Sequence, residues 1–407
     1  SSSSSGPYSS GELLLMGPHS STHATLAGNY FEDIGLGTCV GPACIPSMEE
    51  SLNAANALAG GPPASTNATA VLAGCADVKC KTLDVAAVQK AATAPGVKAI
   101  VLAMGIDGSV EGEGSDRMDI RMPGQQMVFV EAVLNATASA RASGSVRVVL
   151  LMFNGGMVTV EHLKNAEGLA IVEAWYPGAT GGQAVAESLF GLPGSNRFGK
   201  LPFTFYAYNY TQLNTFDNMN MTETPGQPGR TYKYLKDKSL ALWPFGYGDS
   251  YTTFTLTAVP TGPGATSTLA DADATPVQRL FSSASDTDVD AVAAENVEVS
   301  ISAPGWALPL GSSTHPTPSV EEQRNLIRAA LQDTLAVIRV NVTNTGTIYE
   351  GDEVVFLFAN VSGTPTVQEH RRLVGYERVS LGVGESKIVS FNVTAEMLSS
   401  VGDDGSR

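Results

Sequence analysis

The chain has 407 residues, enough for two or three domains with cores of their own. Hydrophobic residues make up 43% and charged residues 16%, a balance too apolar for a disordered chain. A formal net charge of −16 argues against nucleic acid and against a membrane surface as partners, and no apolar run reaches the roughly 20 residues that span a bilayer.

Residues 1–11 form a polar tract with neither the basic nor the apolar segment of a signal peptide, and read as a disordered or linker start. Leu13–Met16 then predicts a strand, broken by Gly17-Pro18. Met48–Ala59 has helical spacing, Val71–Ala73 is a short strand, and Leu83–Ala92 is helical again. Val97–Met104 is a nearly continuous apolar run, the pattern of a strand buried on both faces. Pro123–Ala142 begins with proline near its first turn and predicts one long helix. Val146–Phe153 and Leu169–Trp175 read as two more buried strands, with a helix over Gly182–Phe190. Strands alternating with helices predict a parallel sheet covered on both sides, a doubly wound α/β sandwich domain over 12–256.

Residues 257–335 are rich in Ser, Thr, Gly and Pro and read as an insertion or linker. Beyond them, strand patterns at Ala336–Val342, Val354–Phe358 and Ser386–Val393, separated by Asn/Gly turns, predict an all-β sandwich of fibronectin III-like type over 336–407. One more strand is expected for a full sandwich, so this domain reads as truncated.

Four cysteines fall into two close pairs, Cys39/Cys44 and Cys75/Cys80, with four residues inside each loop and no histidine beside them. Two local disulfides fit this spacing better than a zinc site, and free thiol pairs remain the third reading. Seven Asn-x-Ser/Thr sequons, at Asn67, Asn135, Asn209, Asn220, Asn341, Asn360 and Asn392, compare with roughly three expected by chance. Cysteine pairs and sequons together predict a secreted glycoprotein, with cell wall or vacuole as possible destinations.

In a doubly wound sheet, functional loops lie at the carboxyl ends of the strands. That rule singles out Gly105–Arg117, Asn154-Gly155-Gly156 and Tyr176-Pro177-Gly178. The first packs Asp107, Glu111, Glu113, Asp116 and Arg117 among glycines directly after the most apolar strand. Glycoside cleavage needs a carboxylic acid to protonate the leaving oxygen and a second carboxylate at the anomeric carbon. A solvated acidic turn or a calcium loop is the plainer reading of the same residues. His19 and His23 stand four apart without a third ligand, so no metal site is expected there, and no cofactor motif is present.

The run GIDGSVEGEGSDRMDIRMPGQQ resembles the family 3 glycoside hydrolase pattern G-x-D-x-x-x-E-x-E-x-x-D-R followed by L-P-G-x-Q. Four further segments resemble that family in the same order. They are MGPHSSTHATLAGNY, GCADVKC, AWYPGATGGQAVAESLFGLPGSNRFGKLPFTF and PGRTYKYLKDKSLALWPFGYGDSYTTF. VNVTNTG, GDEVVFLF and LVGYERVSLGVGES resemble its fibronectin-like domain, and GCADVKC with PGRTYKY leans towards plant- and fungal-type β-xylosidases. The resemblance implies part of an exo-acting retaining β-glycosidase acting on β-xylosides or β-glucosides. It makes Glu111 the acid/base, with Glu113 as the alternative. Asp107, Trp175, Tyr176 and Arg230 become sugar-binding candidates, and Asp116 and Arg117 a loop-shaping ion pair. Asp249 and Ala179 depart from the family pattern, away from the acid. The family nucleophile belongs to a preceding barrel domain, so the resemblance also implies such a barrel, in the same precursor or as a separate chain. The alternative is a non-catalytic carbohydrate-binding or structural wall protein that retains these domains.

Overall fold

The computed structural model describes residues 12–28, 45–60, 70–215, 217–259, 277–280, 297–301, 331–332, 334–360 and 369–399. Residues 1–11, Cys39, Cys44, Asn67 and most of 257–335 lie outside them. The chain forms two compact units, Ser1–Ser195 and Asn196–Arg407.

The first unit is built on a parallel sheet of β1 (Glu12–Met16), β2 (Ala70–Val71), β3 (Val97–Gly105), β4 (Arg147–Phe153) and β5 (Leu169–Glu173), in the order β2-β1-β3-β4-β5. Every residue of the central strand β3 is buried except Lys98, as its apolar run predicts. Side chains alternate across the sheet. Leu13, Leu15, Val101, Ala103, Leu151 and Phe153 form one face, packed on α1 (Met48–Leu58) and α5 (Gly181–Phe190) through Met48, Leu52, Ala186 and Phe190. Ile100, Leu102, Met104 and Leu150 belong to the opposite alternation, and they too are fully buried. Leu15 and Leu102 are 0% exposed, and each such burial stabilises by roughly 1.5–3 kcal/mol. Helix α1 starts where Ser47 accepts from Glu50 N–H while the Glu50 carboxylate accepts from Ser47 N–H, a capping box. Helix α2 (Val85–Ala92) starts where Asp84 accepts from Ala87 N–H.

Two expectations need correction. The single helix over 123–142 is α3 (Gln126–Ala136) followed by α4 (Ala138–Ala142). Its start moves because Gly124, at φ 56°, turns the chain after Pro123. It breaks at Thr137, whose buried hydroxyl donates back to the Val133 carbonyl at 2.8 Å. Strand β5 ends at Glu173 rather than Trp175, and it is half-buried because it forms the sheet edge.

The second unit opens with short strands β6 (Phe205–Tyr206), β7 (Glu223–Thr224), β8 (Gln227–Pro228) and β9 (Ala241–Trp243). It continues into β10 (Phe254–Val259), β11 (Val277–Leu280), β12 (Val297–Ile301), β13 (Thr334–Asn344), β14 (Gly351–Asn360), β15 (Arg372–Leu381) and β16 (Ser386–Thr394). These seven make two sheets, β10-β13-β16 and β11-β12-β14-β15. Val340, Val342, Val355, Leu357, Val379, Leu381, Val389 and Val393 fill the core of this sandwich. Strand β10 straddles residue 256 and pairs with β13 along its whole length, while β11 and β12 fall inside 257–335. No helix among the described residues is long and apolar enough to cross a membrane.

Candidate active site

Strand β3 delivers the acidic loop through Gly105. Its φ is 136°, and a Cβ there would overlap the Phe153 carbonyl oxygen, so only glycine fits. This approach lets Ile106 N–H donate to Phe153 O at 2.8 Å, tying the loop's start to the end of β4. Asp107 then nucleates a turn. Its carboxylate accepts from Ser109 N–H at 2.9 Å, and its carbonyl accepts from Val110 N–H at 2.9 Å and Glu111 N–H at 3.1 Å. Gly112 and Ser115 pair in both directions, leaving Glu113 and Gly114 exposed at the tip of a tight hairpin.

The loop closes on Glu111. Arg117 Nε donates to Glu111 Oε2 at 2.9 Å, and Arg117 Nη2 donates to Met157 O at 2.7 Å. The arginine side chain is 8% exposed and the glutamate 30%, so a buried cation holds a carboxylate that still reaches solvent. A Cβ at Gly156 would overlap that carboxylate, which therefore lies directly on the glycine backbone after β4. The expected Asp116–Arg117 pair is corrected here: the partner of Arg117 is Glu111, and Asp116 is exposed. The hairpin turns Asp116 outward with its tip, while Arg117 returns beneath the loop.

Tyr176 stands beside this pair. Its ring fits against Gly28 and Gly155, where a Cβ would collide with it. Burial pushes its phenol up to about 12, with the charges of Asp107 and Glu111 acting the same way. Trp175 takes a left-handed conformation, φ 56°, and its N–H donates to Glu173 Oε1 at 3.0 Å. Burial pushes Glu173 up to about 8, so it is a neutral acid at neutral pH. Asn154, fully buried after β4, faces that carboxyl without a hydrogen bond of complete geometry. His19, just beyond β1, is fully buried, lies 3.3 Å from Thr25 Oγ1 through Nδ1, and is neutral because burial lowers its pKa to about 4.

The carboxyl ends of β1, β3, β4 and β5 thus contribute His19, Asp107 with Glu111, Asn154-Gly155-Gly156, and Glu173 with Trp175 and Tyr176. Burial and two neighbouring carboxylates hold Tyr176 protonated next to a half-exposed glutamate, an arrangement suited to proton transfer at an exposed oxygen. Arg230 belongs to the second unit. Its guanidinium donates to Asn214 Oδ1 at 3.2 Å, to Asn220 O at 3.1 Å and to Asn218 O, and so braces the loop 214–220. Glu173 joins this cluster without having been singled out from the sequence, because an acidic residue ending an apolar run reads as the solvent-facing end of a strand. The signal was present in its place two residues before Trp175.

A disulfide joins Cys75 and Cys80, while the Cys39/Cys44 pair lies outside the described residues. Asn135, Asn209, Asn220 and Asn392 are exposed and Asn341 is half-buried; the side chain of Asn360 lies outside the described residues.

Residues 8–251, more than half of the chain, match the model of the glycosyl hydrolase family 3 C-terminal domain. The chain belongs to glycosyl hydrolase family 3. Residues 353–407 match a fibronectin type III-like domain as well. Among relatives, β-D-xylosidase 1 of Arabidopsis thaliana is 30% identical over 386 residues, covering 94% of this chain and 41% of the relative. A β-xylosidase/α-L-arabinofuranosidase 2 of Medicago sativa subsp. varia is 36% identical over 189 residues, covering 46% of this chain and 23% of the relative. A solved family 3 exo-β-xylosidase in complex with a xylobiose aziridine probe superposes with a TM-score of 0.64 at 21% identity, over 97% of this chain and 42% of that one. A β-glucosidase from Erythrobacter marinus gives 0.59 at 23% identity, over 97% and 43%. The family 3 chain described here spans about two fifths of the Arabidopsis relative, and both solved structures share its fold.

Proposed function

We propose that this chain supplies the acid/base loop of an exo-acting retaining β-glycosidase that hydrolyses terminal β-xylosides or β-glucosides. The observation that carries the reading is the Glu111 carboxylate, held by Arg117 over Gly156 at the carboxyl end of the sheet and open to solvent on one side. A nucleophilic carboxylate is then supplied by a barrel domain, in the same precursor or as a separate chain, at about 5–5.5 Å from Glu111. In the first step Glu111 gives its proton to the departing glycosidic oxygen. In the second its carboxylate takes a proton from the water that hydrolyses the glycosyl-enzyme. Arg117 fixes the orientation of Oε2 through its Nε–H donor. Tyr176, Trp175 and Asp107 line the sugar side of the loop. Glu113 is the alternative for the acid/base role, and Arg230 braces its own loop.

The same reading sends the protein through the secretory pathway as a glycoprotein, to the extracellular space and wall or alternatively to the vacuole. The Cys75–Cys80 disulfide and the exposed sequon asparagines support it. Glycopeptide mass spectrometry of native material is expected to find glycan at Asn392 and at Asn135.

The test uses the full-length protein and two alanine variants. Glu111→Ala should lower kcat/KM on ordinary glycosides by about 10²–10⁴, and far less on aryl glycosides with very good leaving groups. Glu113→Ala should stay within about threefold of wild type. If the two variants exchange these behaviours, Glu113 is the acid. If neither matters, the chain is a binding or structural module.

A further inference from the structure

Gln126, the first residue of α3, is 0% exposed in the middle of a polar knot. Its side-chain carbonyl accepts from Gly105 N–H at 2.8 Å. Its amide donates to Gly105 O at 2.7 Å and to Val78 O at 2.6 Å. One side chain therefore satisfies both backbone groups of the glycine from which the acidic loop departs. It joins them to the loop closed by Cys75 and Cys80.

The approach to that loop is reinforced on either side. Gln125 N–H donates to Cys80 O at 3.0 Å, and Gln125 Nε2 donates to Lys81 O at 2.9 Å. A Cβ at Gly124 would overlap the Lys79 carbonyl oxygen, so the Pro123-Gly124 turn sits flush on the disulfide loop. Three sequence segments far apart in the chain meet at Gly105: the Cys75–Cys80 loop, the acidic loop and the start of α3.

The geometry points to Gln126 as a positioning residue for Glu111. It fixes the direction in which the chain leaves β3, with the Cys75–Cys80 loop as its anchor. The proposal deepens the glycosidase reading and rests on it for the role of Glu111. A buried glutamine with all three of its contacts on backbone has no hydrophobic equivalent: Gln126→Leu leaves the Gly105 N–H and two carbonyls without partners. Displacing a catalytic group by about 1 Å can cost on the order of 10²-fold in rate.

The experiment compares Gln126→Leu, Gln126→Glu and wild type in the full-length protein. Gln126→Leu should lower kcat/KM by roughly 10–100-fold on glycosides with poor leaving groups and distinctly less on those with good ones, because only the former depend on a placed acid. A protonated glutamic acid keeps an acceptor and one donor, so Gln126→Glu should recover part of that loss as pH falls. Hydrogen exchange of the amides in 105–117 should quicken at least tenfold in Gln126→Leu. An equal loss across all leaving groups, or unchanged rates in a folded variant, overturns the proposal. Should Gln126→Leu not fold, Gln126→Glu decides: a wild-type leaving-group profile at every pH overturns it. If neither Glu111→Ala nor Glu113→Ala shows the leaving-group signature, the glycosidase reading has failed, and unchanged exchange in 105–117 is then what overturns the role of Gln126.

Discussion

The polar groups at the carboxyl end of the α/β sheet and those within the second unit solve opposite problems. Among the described residues, buried polar atoms at the carboxyl ends of the strands lack a complete hydrogen bond, including His19 Nε2, Ser20 Oγ, Arg117 Nη1 and Tyr176 Oη, as does Thr204 Oγ1 in the second unit. In the second unit the charged groups answer one another. Asp352, 8% exposed, accepts from Ser380 Oγ at 2.6 Å, Arg197 Nη1 at 2.9 Å and Arg378 Nη1 at 3.3 Å. Glu369 is shared by Arg372 at 2.6 Å and Lys233 at 3.3 Å. The closed Asp352 and Glu369 networks mark structure, whereas the strand-end groups, half-exposed or shifted in pKa by burial, are the ones placed for chemistry.

That contrast breaks if Asp352 matters to chemistry. Asp352→Ala leaves an exposed serine hydroxyl and two half-exposed arginines without their acceptor and opens a void where the buried carboxylate stood. It should cost roughly 2–3 kcal/mol of stability, read as a fall in Tm, with kcat per folded molecule unchanged. The figure is set below that of a fully buried pair because both arginine side chains are 55% exposed.

Glu173 sharpens the contrast from the other side. Its folded pKa of about 8 lies above the ordinary value of 4.5, so its contribution to stability is fully present below pH 4.5 and is lost as pH rises through 8. Glu173→Gln keeps an acceptor for Trp175 N–H and cannot ionise. Thermal melts from pH 4.5 to 9 should show a flatter stability profile for this variant, with a gain at pH 9 of a few kcal/mol, up to the roughly 4–5 kcal/mol that a rise from 4.5 to about 8 is worth. A profile parallel to wild type would mean that Glu173 ionises freely in the folded chain.

The smallest effect belongs to Asp119 and Arg121, an ion pair at 2.5 Å whose side chains are 43% and 65% exposed. Asp119→Asn should change stability by less than about 0.5 kcal/mol in a denaturant melt, despite the good geometry. A larger loss would show that charge pairs in this region carry structure as the Asp352 network does.

Much of this was legible in the chain itself. The run Val97–Met104 announced a central strand, and glycines with carboxylates directly after it announced the loop that holds Glu111. Residue-to-residue pairing was not legible. Whether Arg117 meets Asp116 or Glu111 depends on a hairpin closed by Gly112 and Ser115, and its second contact, Met157, lies 40 residues away. Arg230 reads as a sugar-binding group in its motif, yet its donors go to Asn214, Asn218 and Asn220. The edge position of β5 was hidden as well, because an apolar pentapeptide looks alike at the edge and the centre of a parallel sheet.

The central claim is that Glu111 serves as both acid and base beside a nucleophile from another domain. The most direct test adds azide to full-length Glu111→Ala turning over an activated aryl β-glycoside. The account predicts that turnover recovers at least tenfold and that the product is the β-glycosyl azide, because azide attacks the glycosyl-enzyme without base assistance and both displacements invert. No rescue, or an α-glycosyl azide, would contradict it.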